Sequence, residues 1–175
     1  MSTPAYPAGP PPTAAGAAPK EVVTAFQLFL ASVVLGLIGA VLSFTLVQPV
    51  IDVQLEQAGV TSGDLGPAGQ AQLESAVRAG IVVGAVVALI LLALYVLFIF
   101  KMRAGRNWAR IVLTVLTAIS VLSTLIGFSG YSLFLQAGAI GVLYVVAVAL
   151  QLVAIIVATV FMYRPAASAY FAAAR

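Results

Sequence analysis

The sequence predicts an all-α fold: a polytopic membrane protein, a four-transmembrane-helix bundle with N- and C-termini cytoplasmic. Three observations carry this expectation. Of 175 residues, 63% are hydrophobic and 7% charged, against roughly 45–50% apolar and about 25% charged in a soluble domain, so there is too little charge to coat a dissolved globule. Four uncharged apolar stretches each approach the about 20 residues that cross about 30 Å of hydrocarbon. The few charges separate by sign between alternate loops.

The chain opens with a Pro/Ala/Gly-rich segment, residues 1–20, which holds six of the nine prolines. Such a composition buries too little apolar surface to offset its ordering entropy, and a disordered tail with polyproline II character is expected. The transmembrane domain, 21–163, follows. Its first span runs from about Val22 to Val47. This apolar run exceeds the roughly 7–15 residues of a signal-peptide core, and Lys20 beside Glu21 is a weak basic flank, so it reads as an uncleaved helix. In the outer loop, 48–79, Pro49 is placed to open a short helix through Gln57 with Asp52 and Glu56 on one face. Gly59, Gly63, Gly66, Pro67 and Gly69 interrupt the next stretch. From about Ala68 helical spacing returns, with Glu74 and Arg78 four apart, so the second span, 80–100, begins as a helix before the bilayer. The inner loop, 101–110, leads to the third span, 111–128, the shortest, which Tyr131 to Leu135 can lengthen. Phe128, Tyr131 and Phe134 read as an aromatic interface belt. The fourth span is 139–163, and 164–175 is a short C-terminal segment.

Orientation follows from the basic residues, because Lys and Arg in short loops stay in the cytoplasm. With the N-terminus inside, Lys20, Lys101, Arg103, Arg106, Arg110, Arg164 and Arg175 are inside and Arg78 outside, while Asp52, Glu56, Asp64 and Glu74 are outside and Glu21 inside. The net charge of +3 therefore reports topology. Its nearest partner is the lipid bilayer with anionic headgroups on the inner leaflet, and nucleic acid is not expected. The chain has no His and no Cys, which removes the common general base, the usual zinc ligands and thiolate nucleophiles. No ionisable group falls within a span, where proton and ion carriers place theirs. The outer loop has neither calcium-loop spacing nor a Gly-Lys-Ser/Thr phosphate loop. No catalytic residue, cofactor or metal site is expected.

The inner loop concentrates Lys101, Arg103, Arg106 and Arg110 around the only tryptophan, Trp108. Two readings fit: a topology anchor with Trp108 at headgroup level, or recognition of anionic lipid, to which each basic residue contributes about 1 kcal/mol. An acidic segment of a partner is a third. Gly105 lets the loop turn tightly. The Pro-rich tail, four Ala/Val/Leu-rich spans and the run Met102-Arg-Ala-Gly-Arg-Asn-Trp-Ala-Arg-Ile111 resemble the small tetraspan membrane proteins of actinobacteria. The abundance of Ala and Gly and the excess of Arg over Lys suit a high-GC coding sequence. The resemblance implies a plasma-membrane location and brings no reaction or ligand with it.

Small residues recur on each span, as helix packing in lipid requires. Ser32, Gly36 and Ala40 lie four apart on the first, and Gly80, Gly84 and Ala88 on the second. Thr117, Ser120, Thr124 and Gly127 share one side of the third, and Ala147, Gln151, Ala154 and Ala158 one side of the fourth. These faces are expected to meet within the bundle, or else to join a homo-oligomer or a membrane-protein partner. Gln27 and Gln151 are the candidates for interhelical hydrogen bonds. The resulting expectation is a non-enzymatic accessory, scaffold or interaction protein. The alternative is a small transporter or oligomeric pore for a neutral or apolar solute, lined by Thr117, Ser120 and Thr124.

Overall fold

A computed structural model of the protein describes residues 18–59 and 62–173; the expected disordered tail up to residue 17, and Arg175, lie outside the described residues. Among the described residues six α-helices follow one another: α1 Lys20–Gln57, α2 Gly66–Arg103, α3 Asn107–Ile126, α4 Tyr131–Gln136, α5 Ala139–Met162 and α6 Pro165–Ala173, with 3-10 turns at Ser62–Leu65 and Gly127–Gly130. Four helical segments are long and apolar enough to cross a membrane: α1, α2, the unit Asn107–Gln136 and α5. The third segment gains its length from the 3-10 turn and α4, which continue α3 beyond the expected end at residue 128.

Two boundaries differ from expectation for physical reasons. Pro49 lies inside α1 instead of opening a separate helix. Its fixed φ suits a helix, and the one carbonyl it leaves without a partner, that of Thr45, is the main cost. The segment after the fourth span folds into α6, whose Ala167 and Phe171 are buried. The turn at Gly105 is as expected: its φ is 78°, and the bonds from Arg106 N to Lys101 O (3.1 Å) and Gly105 N to Met102 O (2.9 Å) close a Schellman cap on α2.

The centre of the bundle is an antiparallel pairing of α1 with α5. Gly36 faces Gln151 and Gly39 faces Tyr144, so position rises on one helix as it falls on the other. On α1 the inward residues follow a seven-residue repeat: Val22 and Ala25, Phe29 and Ser32, Gly36 and Gly39, Ser43 and Leu46, most of them buried. On α5 the same repeat passes through Gly141, Tyr144, Gln151, Ile155, Ala158 and Met162. This is the spacing of a coiled-coil seam, in which side chains of one helix enter gaps on the other. The buried core thickens at the end where α1 begins and α5 stops. There Val22, Phe26, Phe29, Ile99, Met102, Leu113, Met162 and Phe171 pack together. Lys20, Lys101, Arg103, Arg106, Arg110 and Arg164 lie at this end, called the basic end below. At the opposite end Gln57 Nε2 donates to Gln136 Oε1 at 3.3 Å, and α4 returns the chain to α5 with the Phe134 and Tyr144 rings 4.7 Å apart.

The glycines fall into different classes. A Cβ on Gly141 overlaps the carbonyl oxygen of Phe134, which is backbone. A Cβ on Gly36 comes 3.0 Å from Gln151 Nε2, the end of a flexible side chain, and one on Gly80 or Gly84 meets nothing within 4 Å. Gly141→Ala is therefore expected to destabilise by about 1–3 kcal/mol, and Gly36→Ala by clearly less. Gly80→Ala and Gly84→Ala are expected to be neutral or stabilising by up to about 1 kcal/mol. Unfolding by SDS titration in mixed micelles ranks all four.

Candidate functional site

Along α1 and α2 side-chain size changes from one end to the other, and this places a large cavity. Near the basic end the two helices are joined through rings: Phe26 with Phe100 at 5.5 Å and Phe29 with Tyr95 at 6.2 Å. The Ser32 and Tyr95 hydroxyls are 3.4 Å apart. Beyond this closure both helices present small residues, and nothing fills the space between them. A cavity of about 1300 Å³ results, larger than the roughly 300–1,000 Å³ of small-molecule pockets.

Eight of the expected packing residues line it: Ser32, Gly36, Ala40, Gly80, Gly84, Ala88, Thr117 and Ser120, with Gln151 as a ninth from α5. The structure thus gathers the small-residue stripes of four helices, but around a cavity. Of those on α1, only Ser32 and Gly36 also sit in the α1–α5 seam; the residue that takes the next place there is Gly39, and Ala40 is exposed. A Cβ added at Gly80 or Gly84 would enter open space. Thr124 lies one turn beyond this wall and gives its hydroxyl to the Ser120 carbonyl at 2.8 Å. Gln27 is on the exposed face of α1, so of the two glutamines Gln151 alone faces another span.

The cavity wall is neutral. Its apolar part comes from residues such as Leu37, Val47, Leu92 and Leu116, its polar part from Ser43, Thr117, Ser120 and Gln151. A hydrogen bond between helices lies beside it, from Thr159 Oγ1 to Thr117 Oγ1 at 3.1 Å, and towards the basic end the Thr114 and Tyr163 hydroxyls are 3.0 Å apart. In a bilayer such bonds average about 0.6 kcal/mol each. From Ser32 to Gln54 the α1 wall is roughly 30 Å long at about 1.5 Å per residue, the thickness of a hydrocarbon core.

The basic end forms a second region. Lys101, Arg103 and Arg106 are exposed, and Trp108 is half exposed, its ring edge-on to Phe98 at 5.7 Å. The Arg103 guanidinium lies over Phe26 at 4.5 Å and that of Arg164 over Phe161 at 4.3 Å. Arg110 departs from its neighbours. It belongs to the first turns of α3 and is 8% exposed. Its guanidinium is 3.9 Å from the Tyr163 ring centroid and 5.2 Å from that of Phe171, and it donates to Ser168 Oγ at 3.2 Å. Its Nε is buried without a hydrogen-bond partner among the described residues. Arg110, expected from sequence as a topology or anionic-lipid anchor of the inner loop, is thus also an internal post against α6. Tyr170 adds a bond from its hydroxyl to Arg103 O at 3.2 Å. Sequence reasoning missed α6, Ser168, Tyr163 and Phe171; Pro165 ahead of an Ala-rich run with two adjacent aromatics was the available signal.

No protein-family model matches the chain, and no curated protein or solved structure is similar to it. The class the fold defines is an all-helical protein with four helices able to cross a membrane.

Removal of the Phe171 ring tests the post. Truncating a buried Phe costs about 3–5 kcal/mol in a packed core, more than a nine-residue helix can offset. In Phe171→Ala, amide exchange in 165–173 is expected to approach that of an unstructured chain, while the α1–α5 seam keeps its protection.

Proposed function

We propose that the protein is a multi-pass plasma-membrane protein with both termini in the cytoplasm, acting without catalysis as an accessory or scaffold for other membrane proteins. The observation that carries this is the open, neutral cavity between α1 and α2. Its walls of Gly, Ala and Ser allow a backbone to come close, which a lipid tail does not need and a packed helix does. Its length equals a bilayer crossing, and its volume exceeds what a small metabolite fills. The occupant is a transmembrane helix of a partner protein. The likeness to small actinobacterial tetraspan proteins supports the plasma membrane as location. The concentration of basic residues at one end supports the orientation, with anionic inner-leaflet lipid around Lys101, Arg103, Arg106 and Trp108.

The absence of cysteine makes the topology directly testable. Single cysteines at Arg106 and Ala172 are expected to react with an impermeant maleimide only after permeabilisation, and those at Gln57 and Ser129 in intact cells. The reverse pattern would falsify the orientation.

Partner binding has its own test. Photo-crosslinking groups at Ala40 and Ala88 are expected to capture one membrane protein reproducibly, and Gly84→Leu with Ala88→Leu to reduce the adduct formed from Ala40 about tenfold or more, the equivalent of about 1.4 kcal/mol. Adducts to lipid alone sink this reading. A second reading, passage of a neutral or apolar solute, draws support from Thr117, Ser120 and Gln151 in the wall. Solute flux into proteoliposomes that the same filling substitutions abolish is the outcome it requires.

A further inference from the structure

Arg110 raises a question of charge. A guanidinium has five N–H donors in a planar fork and no acceptor, and a buried cation is ordinarily paired with a carboxylate. Of the five acidic residues only Glu21 lies at the basic end, and the hydrogen bond found for the Arg110 side chain among the described residues goes to the neutral Ser168 hydroxyl. Tyr163 and Phe171 lie against the guanidinium, which leaves its edge as the approach for a ligand. Nε, on that edge, is buried and without a partner. Edge-on recognition through two parallel N–H groups is how Arg takes a phosphate.

The other groups around the fork fit the same chemistry. The Ser168 hydroxyl accepts from Arg110 and still has a proton to donate. One turn before Ser168 on the chain is Arg164, whose carbonyl takes the Ser168 N–H at 2.9 Å. One turn before Arg110 is the exposed Arg106, joined through the Arg110 N to Arg106 O bond of 3.4 Å. Two further cations thus sit one turn from the two liganding groups.

We propose that Arg110 and Ser168 form a phosphate-binding site between α3 and α6, occupied by the phosphodiester of an anionic lipid or by free phosphate. The bound anion supplies the negative charge that the described partners of Arg110 leave out, and it locks α6 against the start of α3. The site rests on the membrane reading only for the lipid source, since phosphate in detergent solution reaches it whichever face is cytoplasmic.

The experiment uses the full chain. Native mass spectrometry compares retention of phosphatidylglycerol with phosphatidylcholine, and thermal unfolding in a neutral detergent is followed against inorganic phosphate with chloride as control. Wild type is expected to retain phosphatidylglycerol preferentially, to gain stability with phosphate, or both. Retention without a phosphate response assigns the site to lipid, and the converse assigns it to the free anion. Arg110→Lys keeps the charge and loses the fork; Ser168→Ala leaves the guanidinium and its rings in place. Each is expected to weaken binding roughly ten- to a hundredfold, while Arg78→Gln, at the opposite end of α2, changes it little. The proposal is overturned if neither anion is preferred, if Arg110→Lys and Ser168→Ala bind as wild type does, or if Arg78→Gln weakens binding as much as they do.

Discussion

The seam between α1 and α5 is the contact on which the rest of the bundle depends. Four of the helices are apolar enough to cross a membrane, and helices in lipid have no water to expel from between them, so their cohesion comes from close atomic approach and a few hydrogen bonds. Gly36 against Gln151 and Gly39 against Tyr144 supply that approach; the seven-residue repeat along both helices extends it from Val22 to Leu46. With α5 committed to α1, α2 and α3 take outer positions. They join mainly through the ring contacts and buried apolar residues of the basic end.

The two ends of the molecule then differ by construction. Where Phe26, Phe29, Tyr95 and Phe100 stand, large side chains fill the space between helices and the structure closes. Where Gly36, Ala40, Gly80, Gly84 and Ala88 stand, there is nothing to fill it. The same residues that read as helix-packing stripes therefore make a cavity when they face each other across an open gap. The interior on both sides of that boundary is neutral, and Arg110, the one buried cation among the described residues, sits at the basic end.

Much of the helical plan was legible in the sequence because it follows from length and hydropathy alone. The four spans emerge near their expected places, and Gly105 turns the chain where expected. Features decided by partners distant in sequence were not legible. The four-residue stripe on α1 led to Ala40, whereas the seam passes through Gly39, because two supercoiled helices keep contact at a spacing of seven and drift off a strict spacing of four. Pro49 carries a strong signal for a helix start and none for the absence of a break upstream. Arg110 looked like its three basic neighbours because charge does not reveal burial; its fate is set by Tyr163, Ser168 and Phe171, more than fifty positions away. The segment after the fourth span carries too little amphipathic contrast to announce α6.

The pairing of the first long helix with the fourth also has a consequence in time. Gly36 and Gln151 are separated by more than half of the chain, and at about 5–20 residues per second of synthesis the gap between their appearances is of order ten seconds. During that interval α1 lacks its partner in the seam, and α2 meets it through the ring contacts of the basic end. Assembly of this protein is therefore governed by its last long helix: a chain that stops short of α5 has the ring contacts between α1 and α2 and lacks the seam.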